Sequence, residues 1–138
     1  MVVDDEAHVR NVLERAITQL GHEAVVVEDA AAALAQLREG AFDLLLAGGE
    51  LATQGWEETR AAVEMAEPPP DVILVAPVAS HQNAVVGARI GAADCIEKPI
   101  THLRFVREKI RMLLERRWLR AEVQRLRAEN QQLRGPGG

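Results

Sequence analysis

The sequence predicts an α/β fold, in which a five-stranded parallel, doubly wound sheet precedes a long C-terminal coiled-coil helix. Three observations lead to this prediction. Five short apolar runs alternate with segments whose apolar residues recur at helical spacing. The runs are apolar throughout, which is typical of strands that are buried on both faces. The last segment, residues 102–134, contains neither Gly nor Pro and is long enough for about 50 Å of helix.

The predicted elements follow one another at short intervals, as expected for repeated strand and helix units. Strands are predicted at residues 2–3, 24–27, 42–47, 72–76 and 94–96. Helices are predicted at residues 9–20, 30–37, 55–66 and 80–90, and from residue 102 onward. The Gly-rich residues 48–54 are predicted as a loop. Because the carboxyl ends of parallel strands meet at one edge of the sheet, we expect a cluster there of Asp4, Asp5, Gly48, Ala76 and Lys98.

Length and charge divide the chain into a body and an appendage. We predict one domain at residues 1–114, a coiled-coil dimerisation or linker helix at 115–134, and a flexible linker or chain end at 135–138. Residues 115–138 carry six Arg and three Glu, a net charge of +3, whereas the whole chain has −5. The body therefore has a net charge of −8, which argues against direct binding of nucleic acid.

Further features of the composition exclude several classes of protein. The single cysteine, Cys95, excludes an internal disulfide and a multi-cysteine zinc site. No apolar run approaches the ~20 residues that a membrane span requires. The N-terminal segment MVVDDE has acids where a signal peptide has basic residues. We therefore expect a cytoplasmic protein that makes no contact with a membrane.

Four motifs carry a resemblance to a known family, and they occur in the order VVDDE, DLLLAGGEL, VILVAP and GAADCIEKP. Over residues 1–114 the chain resembles the receiver domain of bacterial two-component response regulators, whose fold is flavodoxin-like. The resemblance implies that an acid pair helps to bind magnesium and that an aspartate at the tip of the third strand accepts a phosphoryl group. It also implies a Thr or Ser at the end of the fourth strand. Finally, it implies that a Lys, which a Pro follows, contacts the phosphate.

This chain matches the family's site only in part. The matching residues are Asp4, Asp5, Lys98 and Pro99. Gly48 stands at the acceptor position and Ala76 at the hydroxyl position, and neither residue has an oxygen atom in its side chain. The resemblance therefore implies a degenerate acidic pocket, a pseudo-receiver with no catalytic residue and no cofactor. His8 and His81 lie near the same edge, but no nucleophile is spaced to join them, so we expect no enzymatic activity.

Several residues of the predicted pocket leave two interpretations open. Lys98 is expected to form an ion pair with one of the two acids, and weak magnesium binding by Asp4 and Asp5 is the alternative. Glu50 is expected to be a solvated loop residue, although its carboxylate could imitate a permanently charged site. Cys95 is expected to be a small packed side chain, with a redox sensor as the alternative.

The C-terminal helix has the pattern of a coiled-coil seam. The d positions are Met112, Leu119, Leu126 and Leu133, and the a positions include Val123 and Asn130. The g positions are Glu115, Glu122 and Glu129, and the e positions are Arg120, Arg127 and Arg134. Every pair between g and e′ of a parallel homodimer then joins Glu to Arg, whereas an antiparallel dimer would pair like charges. We predict a parallel homodimer; a lone solvated helix is the alternative, since Arg116 occupies an a position.

The long helix also bears on the function. A receiver-like body followed by a helix with the segment LRAENQQLR resembles the start of NtrC-type sigma-54-dependent transcriptional regulators. That resemblance implies that an AAA+ ATPase and a DNA-binding module follow in a full-length protein. We therefore expect a phosphorylation-independent regulatory and dimerisation domain of a transcriptional regulator. The alternatives are a standalone pseudo-receiver that acts as a protein interaction scaffold, and a receiver that is phosphorylated on an unusual acceptor.

Overall fold

The computed structural model describes residues 1–77 and 81–134, and the side chains of 81 and 82 lie outside the description. Five strands form one sheet, and they are β1 Val2–Val3, β2 Val26–Val27, β3 Leu44–Gly48, β4 Asp71–Pro77 and β5 Asp94–Lys98. Their order is β2-β1-β3-β4-β5, and every neighbouring pair is parallel. The predicted fold class is therefore confirmed, and β5 lies at one edge of the sheet.

The helices cover both faces of this sheet. They are α1 Ala7–Gln19, α2 Ala30–Glu39, α3 Gly49–Ala52, α4 Trp56–Met65, α5 His81–Ile90 and α6 Leu103–Arg134. The apolar residues of β3 alternate between two core clusters, because successive side chains of a strand point to opposite faces. Leu45 packs with Leu51 and Trp56 on one face, and Leu46 packs with Leu13 and Ile110 on the other.

The segment after β3 differs from the predicted loop, because α3 forms a short helical turn there. Leu51 and Ala52 of this turn are buried in the core, and their burial holds the turn in place. The turn is too short for its apolar residues to show helical periodicity in the sequence. The hydroxyl of Thr53 donates to the carbonyl of Glu50, and this bond closes the turn. The predicted loop at 48–54 was therefore wrong, and the chain leaves β3 directly into a packed turn.

The last helix, α6, spans 32 residues and about 48 Å. In its first half Val106, Ile110 and Leu113 are buried in the core cluster that also contains Leu46. The second half projects beyond the sheet, and its apolar residues are largely exposed. Within the described residues, no helix combines the length and the apolar character needed to cross a membrane.

Candidate functional site

A buried ion pair lies at the carboxyl edge of the sheet, where β1 and β5 end. The Nζ atom of Lys98 is 2.8 Å from Oδ2 of Asp4 and 3.2 Å from Oε1 of Glu6. Asp4 is fully buried, and the Lys98 side chain is 12% exposed. The predicted ion pair between Lys98 and an acid is confirmed. Glu6 is a second partner that the sequence analysis missed, although it is the third acid of the VVDDE motif.

Other hydrogen bonds hold Asp4 in this orientation. Its Oδ1 atom accepts a bond of 2.9 Å from the backbone N–H of Glu6, and its carbonyl accepts one of 2.7 Å from the Arg10 guanidinium. Among the described residues, Oδ2 has no well-aligned hydrogen-bond donor. Its charge is therefore balanced by the Lys98 ammonium at 2.8 Å.

The protonation of Lys98 reflects two opposing effects. Burial disfavours the ammonium and lowers its pKa, whereas bonding to Asp4 and Glu6 raises it. The acids prevail, so the pKa of Lys98 lies above its ordinary value of 10.5. Lys98 is consequently a cation at neutral pH, and its positive charge lies beside the acids that follow β1.

Gly48, the last residue of β3, and Gly49, the first residue of α3, make room for the two acids. A Cβ atom built on Gly48 would lie 2.2 Å from Oδ2 of Asp4 and 3.1 Å from the carbonyl oxygen of Val3. Gly49 has a φ of +57°, and a Cβ there would lie 2.8 Å from Oδ1 of Asp5. The Asp4 carboxylate thus occupies the space in which any side chain at Gly48 would have to begin.

The remaining residues of the predicted pocket lie around this pair. Ala76 is buried near the end of β4. Glu50 is exposed, as expected, but it lies in α3 and not in a loop. His8 is exposed in the first turn of α1. Cys95 is partly buried and packs against the core, and burial raises the pKa of its thiol above the usual 9.0. A neutral packed thiol agrees with the expected structural role. The side chain of His81 lies outside the described residues.

A magnesium ion, which the family resemblance implies, has only a partial set of ligands here. Carboxylate oxygens of Asp4, Asp5 and Glu6 lie within 4.8 Å of one another. All three come from one loop, and the ammonium of Lys98 already faces Asp4 at 2.8 Å. Gly48 offers no ligand from the neighbouring strand. A cation that requires about six oxygen ligands therefore does not fit this arrangement well.

The residues of α6 that are predicted to form a coiled coil lie on the exposed part of the helix. Met112, Leu119, Val123 and Leu126 are about half exposed, and Leu133 is almost fully exposed. Arg125 bridges Glu122 and Glu129 within the chain, and Arg111 bonds to Glu115 at 2.7 Å. Arg120 is 2.8 Å from Asp71 of its own body. Arg127, Asn130 and Arg134 are exposed on the described helix.

A second attachment of α6, at the amino edge of the sheet, was not predicted. Arg117 is 13% exposed, and its guanidinium bonds to Oδ1 of Asp43 at 3.1 Å and to the carbonyls of Pro69 and Pro68 at 2.8 and 3.4 Å. One signal for it was present in the sequence, because Arg117 continues the buried stripe four residues after Leu113. This cluster, which we call the Arg117 clamp, fixes the helix where it leaves the sheet.

Comparisons with known proteins agree with this architecture. Residues 1–123 match the family described as the response regulator receiver domain. Among curated proteins, the transcriptional regulatory protein ZraR of Salmonella typhimurium is 27% identical over 100 residues, which are 72% of this chain and 23% of ZraR. ZraR of Escherichia coli K12 matches with the same identity and coverage. The chain thus spans about a quarter of the length of the curated relatives that it matches.

Solved structures show the same fold. NtrX from Brucella abortus, solved in complex with ATP, superposes with a TM-score of 0.75 at 29% identity, over 91% of this chain and 28% of NtrX. A CheY-like receiver domain protein from Methanospirillum hungatei superposes with a TM-score of 0.72 at 27% identity, over 86% of this chain and 94% of that protein. Given the match over most of its length, the parallel sheet and the acids at its carboxyl edge, this chain belongs to the response regulator receiver domain family.

Proposed function

We propose that this chain is a phosphorylation-independent regulatory and dimerisation domain of a bacterial transcriptional regulator. The observation that carries the proposal is the position of Asp4, whose Oδ2 atom lies 2.2 Å from the place of a Cβ atom at Gly48. While the Asp4 carboxylate keeps this position, an acceptor side chain cannot occupy the same space. Asp4 fills this space, and the Lys98 ammonium balances its buried charge, so the Asp4 carboxylate requires no metal ion as a counter-charge.

The proposed role in transcription rests on the relatives. ZraR is a transcriptional regulatory protein, and this chain corresponds to less than a quarter of it. We propose that the chain acts in the same kind of protein, with an ATPase and a DNA-binding module attached beyond α6. The body is acidic, so contact with DNA is assigned to the attached module and not to this domain. Such a protein would work in the cytoplasm.

The proposed dimer rests on the exposed half of α6. Apolar side chains repeat every seven residues there, and each is about half exposed or more. The Glu and Arg residues beside them complement a second copy in parallel orientation. Exposed ion pairs contribute only about 0.5 kcal/mol each, so they select the orientation while the apolar seam supplies most of the affinity.

Phosphorylation is tested by incubating the chain with acetyl phosphate and magnesium and measuring its intact mass. We expect no stoichiometric gain, whereas a receiver with an intact acceptor, treated in parallel, gains about 80 Da, the mass of one phosphoryl group. A stoichiometric gain by this chain would refute the proposal. The residue that carries the added mass in a peptide map of the modified chain would then identify the unusual acceptor. Calorimetric titration with magnesium alone is expected to give no submillimolar affinity.

A further inference from the structure

A groove lies between α2 and α4, on the face of the sheet opposite α1 and α6. Buried residues of α2 and α4 belong to one core cluster, and those of α1 and α6 belong to the other. This α2–α4 groove has a volume of about 610 Å³, and its apolar lining includes Leu34, Leu37, Ala61, Ala62, Met65 and Ala66. Three of these six residues are alanines, whose small side chains allow a further helix to approach closely.

One lining residue of the groove is almost fully exposed. Met65 is 80% exposed, although it lies on the same helix as the buried Trp56 and Val63. A methionine side chain is flexible and unbranched, so it adapts to the shape of a partner. Contact with an apolar side chain would remove its surface from water, which is favourable in free energy. Met65 and the groove therefore form an apolar surface that is open to a partner helix.

The acidic charge of the body is concentrated on these two helices. Residues 29–39 and 56–67 carry six acids and two arginines, a net charge of −4, which is half of the −8 of residues 1–114. By contrast, α1 and α5 each have a net charge of +1, and α6 has +6. The surface around the α2–α4 groove is thus the acidic face of a chain whose other long helices are basic.

Three acids at the groove are available to a cation from outside the chain. These exposed residues of the lining are Glu39, Glu58 and Glu67. Within the described part of the chain none of the three has an ion-pair partner, whereas Glu57 and Glu64 share Arg60, each at 3.5 Å. Arg38 is the only cation among the described residues of the lining. Positive charges beside apolar side chains are therefore what this groove complements.

We propose that the α2–α4 groove is a second interaction surface, which binds a basic amphipathic helix of another protein. Apolar side chains of that helix would lie against Leu37, Ala62 and Met65, and its Lys or Arg residues would pair with the three free acids. The tail of a second copy is also basic, but a tail in this groove would join chain to chain without closure and give open assemblies. The bound helix would supply this receiver with an input that needs no phosphoryl group.

The first test is a ¹⁵N NMR titration of the whole chain with a synthetic helical peptide. In this probe Leu recurs at intervals of three and four residues, and Lys occupies the flanking positions. We expect saturable shifts at residues 30–39 and 56–67 with a Kd below about 1 mM, and at least about 10-fold weaker binding of the same peptide with Glu in place of Lys. Absence of saturation, or shifts confined to other elements, would overturn the inference.

The second test separates the groove from the overall charge of the body. Glu58→Lys is expected to raise Kd of the Lys peptide about fivefold or more. Glu14→Lys is the matched control, because it makes the same change at an exposed acid of α1 on the opposite face, and it should alter Kd less than about twofold. Equal losses of affinity in the two variants would overturn the inference.

The apolar contribution is tested separately at Met65. Met65→Ser removes an exposed apolar side chain without opening a cavity in the core, and it is expected to weaken peptide binding about threefold or more. Val85→Ser, at an exposed apolar residue of α5, should leave Kd unchanged. Binding that is insensitive to Met65→Ser would contradict an apolar contact in the groove.

Sedimentation velocity without the peptide distinguishes another protein from a second copy as the occupant. We expect no species larger than a dimer, because the tail of this chain is not the bound helix. Larger species that disappear in Glu58→Lys would place the tail of a second copy in the groove and overturn the choice of partner. Dimers alone, or monomers alone, would support a groove that another protein fills.

Discussion

The pocket at the carboxyl edge and the exposed apolar residues of α6 differ in whether their side chains find partners within the chain. In the pocket, the buried Asp4 carboxylate and the Lys98 ammonium are partners, and Gly48 leaves the space that the carboxylate occupies. On α6, the apolar residues from Phe105 to Leu133 are exposed at regular intervals. Because the buried Asp4 carboxylate already has a cationic partner, a ligand would add little stabilisation there. Burial of exposed apolar residues on α6 against a partner would be favourable in free energy. This difference is the reason why we propose that the functional surface of this receiver lies on its last helix.

The largest effect is expected where the stripe is interrupted. Leu126→Glu would bury an unpaired carboxylate in the seam, and we expect Kd of the dimer to rise at least about 100-fold. Met65→Glu, a substitution at an exposed apolar residue of α4, serves as the control and should leave Kd unchanged. Sedimentation equilibrium measures both variants. A Leu126→Glu chain that dimerises like the wild type would show that the stripe is not the interface.

The pocket is expected to yield the next largest effect, and on folding stability instead of association. Asp4→Ala leaves Lys98 partly buried with only Glu6 as a partner, which should lower the free energy of unfolding by about 3 kcal/mol. Asp5→Ala removes an exposed neighbour and should cost less than about 0.5 kcal/mol. Urea denaturation compares the two variants. Equal stabilities would mean that the buried pair does not hold the pocket together.

A smaller loss is expected when the space at Gly48 is filled. Gly48→Ala places a methyl group against the Asp4 carboxylate and should cost about 2 kcal/mol of unfolding free energy. Gly40→Ala, where the nearest atoms lie 4.0 Å from the added Cβ, should be close to neutral. In an Asp4→Ala chain the cost of Gly48→Ala should fall, because the clashing carboxylate is absent. Additive losses in urea denaturation would contradict the assignment of that space to Asp4.

The smallest expected effect concerns the Arg117 clamp, which joins the two regions. Arg117→Ala removes hydrogen bonds to Asp43 and to two proline carbonyls and should cost about 1.5 kcal/mol. Arg116→Ala, at an exposed neighbour, should not destabilise the body. Amide hydrogen exchange should show faster exchange at residues 115–122 in the Arg117 variant alone. Equal protection from hydrogen exchange at these residues in both variants would show that the Arg117 clamp does not attach the helix to the body.

Much of the fold followed from the sequence because apolar runs and helical spacing are local signals. The cluster at the carboxyl edge could also be predicted, because parallel strands bring Asp4 and Lys98 together regardless of how the helices pack. The turn at Gly49–Ala52 did not, because four residues carry no periodicity and are held by burial of Leu51.

Contacts between distant residues were the hardest part to predict. Substitution at the acceptor position was visible in the sequence, but the occupation of that space by Asp4 depends on the rotation of one side chain over the neighbouring strand. Arg117 and Asp43 are separated by 74 positions, and no local pattern pairs them. The exposure of Phe105 became evident only when the opposite side of α6 was seen to pack on the sheet.

We propose that dimerisation of this receiver does not depend on phosphorylation of its pocket. Sedimentation equilibrium of the wild-type chain, with and without acetyl phosphate and magnesium, tests it most directly. The account predicts a dimer at micromolar concentration with the same Kd under both conditions. A Kd that changes about 10-fold or more on addition of acetyl phosphate, in a chain whose mass shows a phosphoryl group, would contradict it.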